Sequence, residues 1–178
     1  MRKNITAMLL IAALTACVFC GCVKKHASPE ELQRRLETVA ETYGLELRSI
    51  DDRIDPEYGI AVPEGGSIRI KLFFDEGKRI DSFSIEYEKL NGTEGFDVGL
   101  FISLVNAVSG RRITTDYCED FLEAPETEHP SGRYGHIMQE DELFAKWQAL
   151  NLTEDWMIRH TKYKDGSETL SFGGPAFE

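Results

Sequence analysis

The chain has 178 residues, 42% of them hydrophobic and 29% charged, a composition that fits one ordinary folded domain and excludes disordered, collagenous and coiled-coil chains. Arg2 and Lys3 are the only charged residues before residue 23, so the remainder carries 31 acidic and 18 basic residues, a formal charge of −13 within a total of −11. Nucleic-acid affinity depends on Lys and Arg that neutralise phosphates, so no nucleic-acid partner is expected; the acidity serves solubility first and also permits a protein partner with a basic surface.

An uncharged apolar segment, residues 5–16, follows the positive start and is rich in Leu, Ile and Ala. A bacterial signal peptide has this organisation. The segment is shorter than the roughly 20 apolar residues that a membrane-spanning helix needs, so a retained N-terminal helix is the less favoured interpretation. We predict that residues 1–16 are a signal peptide.

The apolar segment ends at Leu14-Thr15-Ala16-Cys17. These four residues resemble the lipobox of bacterial lipoproteins, in which an aliphatic residue, a small or polar residue and a small residue precede a cysteine. The resemblance covers only the leader. It implies that the thiol of Cys17 is joined to diacylglycerol, that a peptidase cuts just before this residue, and that the protein is lipid-anchored at the extracytoplasmic face of the cell membrane.

The other cysteines leave alternatives open. Cys22 follows Phe19-Cys20-Gly21 and is the alternative lipid-attachment residue, although Phe19 is bulky for its place in the box. A zinc site formed by the leader cysteines is disfavoured, because two separated pairs of ligands are usual and only Cys118 lies elsewhere. Cys118 is predicted to be a small core residue rather than an activated thiolate, and a disulfide from it to Cys20 or Cys22 stays open.

The folded domain, residues 28–178, is predicted to follow the lipidated cysteine and a short tether (residues 17–27) and to begin with a helix. Ser28-Pro29-Glu30-Glu31 has the pattern of a capping box with Pro at the first helical position. Apolar residues then recur at helical spacing as far as Gly44, which predicts a helix with one buried face. They are Leu32, Leu36, Val39, Ala40 and Tyr43.

A strand-rich region follows this helix. Residues 68–74 and 83–88 each alternate apolar and polar side chains, and a turn joins them, which predicts an antiparallel hairpin. Residues 45–50 are a weaker strand candidate. The stretch 51–66 contains two prolines and three glycines, so it is predicted to be mostly loop, with a short strand near 58–62.

Two more helices are predicted in the middle of the chain. Apolar spacing predicts the first over residues 96–109, and Gly110 ends it. The second is predicted over residues 115–123, with Thr115 as its cap and an inward face formed by Tyr117, Phe121 and Leu122. Residues 124–135 are rich in proline, glycine and polar side chains and are predicted to form the longest loop.

The last part of the chain is predicted to contain a short strand, a helix and a hairpin. Residues 136–138 are the strand candidate. A helix is predicted over 141–150, because four apolar residues there have helical spacing: Leu143, Phe144, Trp147 and Leu150. Residues 156–172 are predicted to form a hairpin, with its turn at Asp165-Gly166.

Strands joined by tight turns, with helices before and between them, favour an α+β fold in which an antiparallel sheet of hairpins packs helices on one face. A doubly wound parallel sheet is disfavoured. It requires strands that alternate regularly with helices, and no G-x-G-x-x-G turn follows any predicted strand.

Two acidic clusters could bind cations, and each has a simpler structural interpretation. One lies after the first strand candidate and comprises Asp51, Asp52, Asp55 and Glu57. Arg53 occupies the third ligand position of the EF-hand order, so a solvated turn is favoured over a calcium site. The other would line one face of the predicted third helix and comprises Asp116, Glu119, Asp120 and Glu123. A solvated helix face is favoured there over a site for a cation or a basic partner.

Histidines supply the remaining candidates. His129 and His136 flank the predicted long loop near several carboxylates, which could make a metal or acid–base cluster, although surface histidines are the simpler interpretation. His160 shares a predicted strand face with Trp156 and Ile158, so we expect a packed histidine.

The sequence contains no nucleophile elbow, zinc-protease helix, phosphate-binding loop or EF-hand loop. The catalytic residues therefore stay unknown, and we expect no cofactor and no metal site. We hypothesise a membrane-anchored extracytoplasmic lipoprotein with a non-catalytic binding or accessory domain, attached to the membrane through its N-terminal lipid. The alternative hypothesis is an envelope-associated hydrolase that uses His and carboxylate residues of the region 124–141, so the question of an enzyme stays open.

Overall fold

A computed structural model describes residues 27–51, 55–63, 65–77, 79–123, 134–137, 142–149 and 157–175. The predicted signal peptide and both candidate lipid-attachment residues, Cys17 and Cys22, lie outside the described residues. No helix in the described part of the chain is long and apolar enough to cross a bilayer.

Three helices and eight strands occur within these residues. In chain order they are α1 (Pro29–Thr42), β1 (Leu47–Asp51), β2 (Glu57–Val62), β3 (Gly66–Phe74), β4 (Ile80–Lys89), α2 (Val98–Ser109), α3 (Thr115–Glu123), β5 (Tyr134–Ile137), β6 (Glu142–Ala149), β7 (Met157–Tyr163) and β8 (Glu168–Pro175).

Helix α1 begins and ends as its sequence predicts. The Oγ atom of Ser28 accepts a hydrogen bond from the backbone N–H of Glu31 at 3.3 Å, and Pro29 lies in the first turn. The carboxylate of Glu31 pairs with Arg34 and Arg35. The helix stops before Gly44, whose φ of 70° requires the left-handed conformation that glycine adopts without strain.

The strands form one sheet in the order β1-β2-β3-β4-β8-β7-β6-β5, and every neighbouring pair is antiparallel. Strands β1 to β4 form one meander and β5 to β8 another. The two meanders join where β4 pairs with β8. The predicted antiparallel sheet of hairpins is therefore confirmed, including the hairpin formed by β3 and β4 and the one formed by β7 and β8.

The hydrophobic core lies between the sheet and the helices. Along β3 and β4, alternate side chains are buried, which is the period of a strand with one covered face. Helix α2 packs on α1 and on β4, and α3 packs on α2. The fully buried side chains of this core include Leu36, Ile70, Leu72, Ile85, Phe101, Phe121 and Phe172. The α+β fold with helices on one face of the sheet is confirmed.

The helix predicted over residues 141–150 is wrong. This segment contains the strand β6, which pairs with β5 on one side and β7 on the other. Its apolar residues fit a helix, but Leu143, Ala145, Trp147 and Ala149 also recur at every second position. When a short segment satisfies both periods, the backbone pairing available on its two edges decides the structure.

The remaining differences concern element boundaries. Helix α2 begins at Val98, because Asp97 caps it by accepting a hydrogen bond from the N–H of Leu100 at 2.9 Å. Strand β8 continues through Gly173 and Gly174, which pair with Ser84 and Phe83 of β4. A Cβ atom at Gly173 would lie 3.3 Å from the backbone oxygen of Phe83, so glycine suits this position of the pair.

Candidate functional site

The face of the sheet that turns away from the helices carries polar and charged side chains. Next to the turn between β7 and β8 this face is concave, with a recess of about 460 Å³. We call this the outer recess. It is lined by Ser67, Arg69, Glu86, Glu88, Tyr163, Lys164, Asp165, Ser167 and Thr169.

The floor of the outer recess is a row of oxygen-bearing side chains on three neighbouring strands. Ser67 of β3 pairs in register with Glu88 of β4, which pairs in turn with Thr169 of β8. Residues paired in this way have Cβ atoms roughly 5 Å apart, so their side chains reach one another. The Oγ atom of Ser67 lies 3.5 Å from Oε2 of Glu88, a long hydrogen bond.

Thr169 is the most buried residue of this row. Its exposed fraction is only 9%, although it lies on the open side of the sheet. Its hydroxyl makes no hydrogen bond to any other residue in the described ranges. The hydroxyl itself is not among the buried side-chain atoms without a partner, so solvent reaches it and it can exchange hydrogen bonds with water or a ligand.

The carboxylates of Glu86 and Glu88 are also available to a ligand. Glu86 pairs in register with Arg69, but the Nε atom of Arg69 instead contacts Oε1 of Glu57 at 3.2 Å. Within the described part of the chain, Glu86 makes no hydrogen bond or ion pair. Both glutamates are solvent-exposed, and they lie two residues apart on the same face of β4.

The turn between β7 and β8 forms a rigid wall of the outer recess. The amide of Asn91 donates a hydrogen bond to the backbone oxygen of Asp165 at 2.7 Å. The Oδ1 atom of Asp165 accepts from the N–H of Ser167 at 2.9 Å and from its hydroxyl at 2.7 Å. These two hydrogen bonds hold the pKa of Asp165 below its usual value.

Gly166 is required at the tip of this turn. Its φ is 86°, and a Cβ atom at this position would lie 2.7 Å from the side-chain Cγ of Asn91. Only glycine permits both the backbone conformation and the close approach of Asn91. The wall is therefore fixed before any ligand arrives.

A second polar cluster lies on the opposite, helix-covered face of the sheet. The Nε2 atom of His160 lies 2.6 Å from Oε2 of Glu168, and the Nζ atom of Lys89 lies 3.1 Å from Oε1 of the same carboxylate. The ring of Phe96 covers these groups, edge-to-face with His160 at 5.7 Å between ring centroids. His160 is 5% exposed, in agreement with the predicted packed histidine.

The carboxylate of Glu168 is ionised in this cluster under ordinary conditions. Burial by itself would raise the pKa of Glu168, but the hydrogen bonds from His160 and Lys89 outweigh it and lower that pKa below its usual value. Each buried charge thus has a partner, which is what a stable interior requires. We interpret this cluster as structural, because its polar groups pair with one another beside the hydrophobic core.

Cys118 is a core residue, as its position on an apolar helix face predicts. It is a buried free cysteine among the described residues, and burial, followed by the charge of Glu119, raises the pKa of its thiol to about 12. A thiol with so high a pKa is protonated at neutral pH, so it is no activated nucleophile.

The acidic clusters predicted from the sequence do not come together as a metal site. The four acids of α3, Asp116, Glu119, Asp120 and Glu123, are all exposed, which fits a solvated helix face. Asp51 and Glu57 are register partners on β1 and β2, while Asp52 lies outside the described residues. No group of three or more His, Cys, Asp or Glu side chains in the described part is placed to hold a metal ion.

The residues of the hydrolase hypothesis are mostly outside the described ranges. His129 and residues 138–141 are among them, and His136 lies in the short strand β5. The strand predicted at 136–138 is confirmed at residues 136 and 137, which belong to β5, while residue 138 lies outside the described residues. The hydrolase hypothesis itself stays a prediction.

A second concavity, of about 440 Å³, lies between α1 and α2, but its polar groups are already engaged. Glu31 holds the guanidinium groups of Arg34 and Arg35. The side chain of Asn106 accepts from the N–H of Ile113 at 2.8 Å and donates to its oxygen at 2.9 Å. The outer recess is therefore the stronger candidate site.

Comparison of the chain with known protein families, with curated proteins and with solved structures finds no match. The function must therefore be inferred from the outer recess itself. No pattern in the sequence predicted this site, because its residues come from β3, β4, β8 and the turn before β8. The only local signals were the Asp165-Gly166 turn and two glutamates at alternate positions of a predicted strand.

Proposed function

We propose that the protein is a lipid-anchored lipoprotein of the extracytoplasmic membrane face whose folded domain is a non-catalytic binding module. Support for the anchor comes from the leader, where Leu14-Thr15-Ala16-Cys17 ends an apolar segment of signal-peptide length. Support for a binding role comes from the outer recess.

The observation that carries the binding role is that the recess is rigid and yet has unused polar groups. Sheet strands form its floor, and the turn held by Asn91 forms its wall. Groups held in place before binding lose little conformational entropy when a ligand arrives, so their interactions appear as affinity. The carboxylates of Glu86 and Glu88 and the hydroxyl of Thr169 are the groups that a ligand would contact.

Site-directed photo-crosslinking in the producing cells tests the binding role. A photoreactive amino acid replaces Ser167 at the rim of the recess, and in the matched control it replaces Glu123 on α3, which does not line the recess. A crosslinked product formed from position 167 and not from position 123 is expected. Equal products from both positions, or none from position 167, would overturn the binding role of the recess.

Metabolic labelling with a palmitate analogue tests the anchor separately. We expect Cys17→Ala to abolish labelling and release the protein from the membrane, while Cys22→Ala remains labelled. The reverse pattern would move the anchor to Cys22. Labelling that persists in both single variants and in the double variant would refute lipid attachment at these two cysteines, and a lack of labelling in the unmodified protein would refute lipidation.

A further inference from the structure

We propose that Asn91 is a site of covalent modification. Its side-chain amide is lost by deamidation through the backbone nitrogen of Gly92, at a rate set by the opening of the turn between β7 and β8. The reaction needs only water as a co-reactant. It goes beyond the proposed binding function and does not depend on it, because it follows from the contacts of Asn91 and not from any ligand.

Gly92 has the properties that this reaction requires of the residue after an asparagine. Glycine has no Cβ atom to hinder the approach of its nitrogen to the side-chain carbon of Asn91. A Cβ atom placed on Gly92 would find no heavy atom within 4 Å beyond its chain neighbours, so the surroundings are open. Both residues are exposed, and the N–H of Gly92 makes no hydrogen bond to another described residue. This nitrogen can therefore lose its proton to hydroxide and act as a nucleophile.

The reaction consumes one water molecule and releases one ammonia molecule. The deprotonated nitrogen of Gly92 forms a bond to Cγ of Asn91, the bond from Cγ to Nδ2 breaks, and the departing nitrogen takes a proton from solvent to become ammonia. A cyclic succinimide remains, and water opens it. Breaking the new bond to Cγ gives aspartate, whereas breaking the original peptide bond gives isoaspartate, in which the chain runs through Cγ. No oxidant or reductant takes part.

The folded turn restrains the side chain that must react. The Nδ2 atom of Asn91 donates a hydrogen bond to the backbone oxygen of Asp165 at 2.7 Å. A Cβ atom at Gly166 would lie 2.7 Å from Cγ of Asn91 and 2.8 Å from both Nδ2 and Oδ1, so Gly166 lies over the flat face of the amide. A nucleophile approaches Cγ across a flat face, and ring closure requires a rotation that the hydrogen bond opposes. The reaction therefore proceeds from the open turn, in proportion to its population.

Deamidation makes this opening irreversible. The carboxylate that replaces the amide has no N–H, so it cannot donate a hydrogen bond to the oxygen of Asp165 and instead repels it. The same turn is the wall of the outer recess. Loss of this contact should be visible as faster hydrogen exchange of the Gly166 N–H, which donates to the oxygen of Tyr163 at 3.1 Å, in the Asn91→Asp variant.

Peptide mapping by mass spectrometry tests the proposal. The full-length protein is kept in non-ionic detergent at neutral pH, and samples are digested at intervals. We expect the peptide that contains Asn91 to gain the mass of one deamidation, as both aspartate and isoaspartate, at a rate proportional to the hydroxide concentration. Asn106 is the internal control and should stay unmodified, because Ala107 follows it and its side chain is held by two hydrogen bonds to Ile113.

Variants test the role of the turn. Gly166→Ala displaces Asn91 and should speed deamidation about fivefold, the factor that corresponds to a lost hydrogen bond of about 1 kcal/mol. Val105→Ala truncates a fully buried residue of α2, lowers the stability of the whole domain and should leave the rate unchanged. Gly92→Ala places a Cβ atom beside the attacking nitrogen and should abolish the modification over the same period.

Each part of the proposal can fail separately. An Asn91 that stays intact even in Gly166→Ala would overturn the modification site. Equal rates in Gly166→Ala and the unmodified protein, or an equal acceleration in Val105→Ala, would overturn control by the turn. Aspartate without isoaspartate, or undiminished modification in Gly92→Ala, would overturn the route through the nitrogen of Gly92.

Discussion

The two faces of the sheet are formed by alternate residues of the same strands, yet they differ in whether their polar side chains are paired with one another. On the helix-covered face the polar groups of Lys89, His160 and Glu168 are paired with one another. On the open face Glu86 has no partner in the described ranges, and Thr169 has none either. The comparison indicates that the covered face determines stability and that the open face is available for recognition.

Burial accounts for this difference. An unpaired polar group in the core loses its hydration and gains nothing, which costs roughly 1–3 kcal/mol for a neutral group and more for a charge. On the open face, water hydrates the same group until a ligand replaces it. Unpaired polar groups therefore cost least where solvent reaches them.

The largest expected effect is on the covered face. Phe101→Ala removes a fully buried ring from α2 and should lower the free energy of unfolding by about 3–5 kcal/mol, through lost burial and the cavity left behind. Phe73→Ala on the open face, where the ring is half-buried, should cost about 1 kcal/mol. Urea unfolding measures both, and equal losses would contradict the assignment of separate roles to the two faces.

The paired cluster gives the next largest effect and a pH dependence. Because the pKa of Glu168 is lowered in the folded state, its ionised form stabilises the fold above the usual carboxylate pKa near 4.5, and this stability is lost as the pH falls below that value. Glu168→Gln should cost about 2 kcal/mol at pH 7.

Unfolding experiments from pH 7 to pH 3 check the direction of this effect. The difference in unfolding free energy between the unmodified protein and Glu168→Gln should shrink on acidification, since the carboxylate becomes protonated. A difference that is constant over this range would show that the stabilising interaction of Lys89 and His160 with Glu168 does not require the charge of the carboxylate.

The wall of the outer recess gives a smaller effect with a matched control. Gly166 and Gly92 both have positive φ, 86° and 83°, but only at Gly166 would a Cβ atom clash with Asn91. Each change to alanine should cost about 1 kcal/mol for backbone strain. Gly166→Ala should lower the free energy of unfolding by about 1 kcal/mol more than Gly92→Ala, and it should also weaken ligand binding. Thermal unfolding checks this, and identical melting temperatures of the two variants would contradict close packing between Asn91 and the turn.

The smallest effect on stability is expected for changes to the carboxylates of the outer recess, which a ligand would contact. Glu86→Gln and Glu88→Gln should each change the free energy of unfolding by less than about 0.5 kcal/mol, because both carboxylates are exposed. A loss of 2 kcal/mol in either variant, measured in the same urea titrations, would show that the open face contributes to the fold.

The sequence predicted those features whose causes are local. The start of α1 depends on Ser28 and Pro29, and the β3–β4 hairpin on strict alternation around a tight turn, so neighbouring residues sufficed. The same reasoning predicted the wrong structure for β6. Its apolar residues satisfy both the helix and the strand period, and pairing with β5 and β7 decides between them.

The outer recess could not be predicted in this way. Ser67 and Thr169 are about a hundred positions apart in the chain and lie on either side of Glu88 only because β8 pairs with β4. The candidate sites predicted from the sequence, such as the acids of α3, consist of residues that are close in the chain. In a sheet with this strand order, residues that are close in space are often far apart in the chain. Chain order did not reveal which polar residues would remain unpaired.

The strand order has a consequence for how the molecule is made. Strand β4 gains its second neighbour only from β8, the last strand described, so a chain emerging from the ribosome presents an unpaired central edge until β8 has been synthesised. Such an edge can pair with other chains. A chain that stops after Tyr163 should therefore aggregate instead of forming a smaller stable sheet, and a monomeric truncated product in size-exclusion chromatography would refute this. The junction that creates the outer recess therefore also covers the central edge of β4 against pairing with other chains.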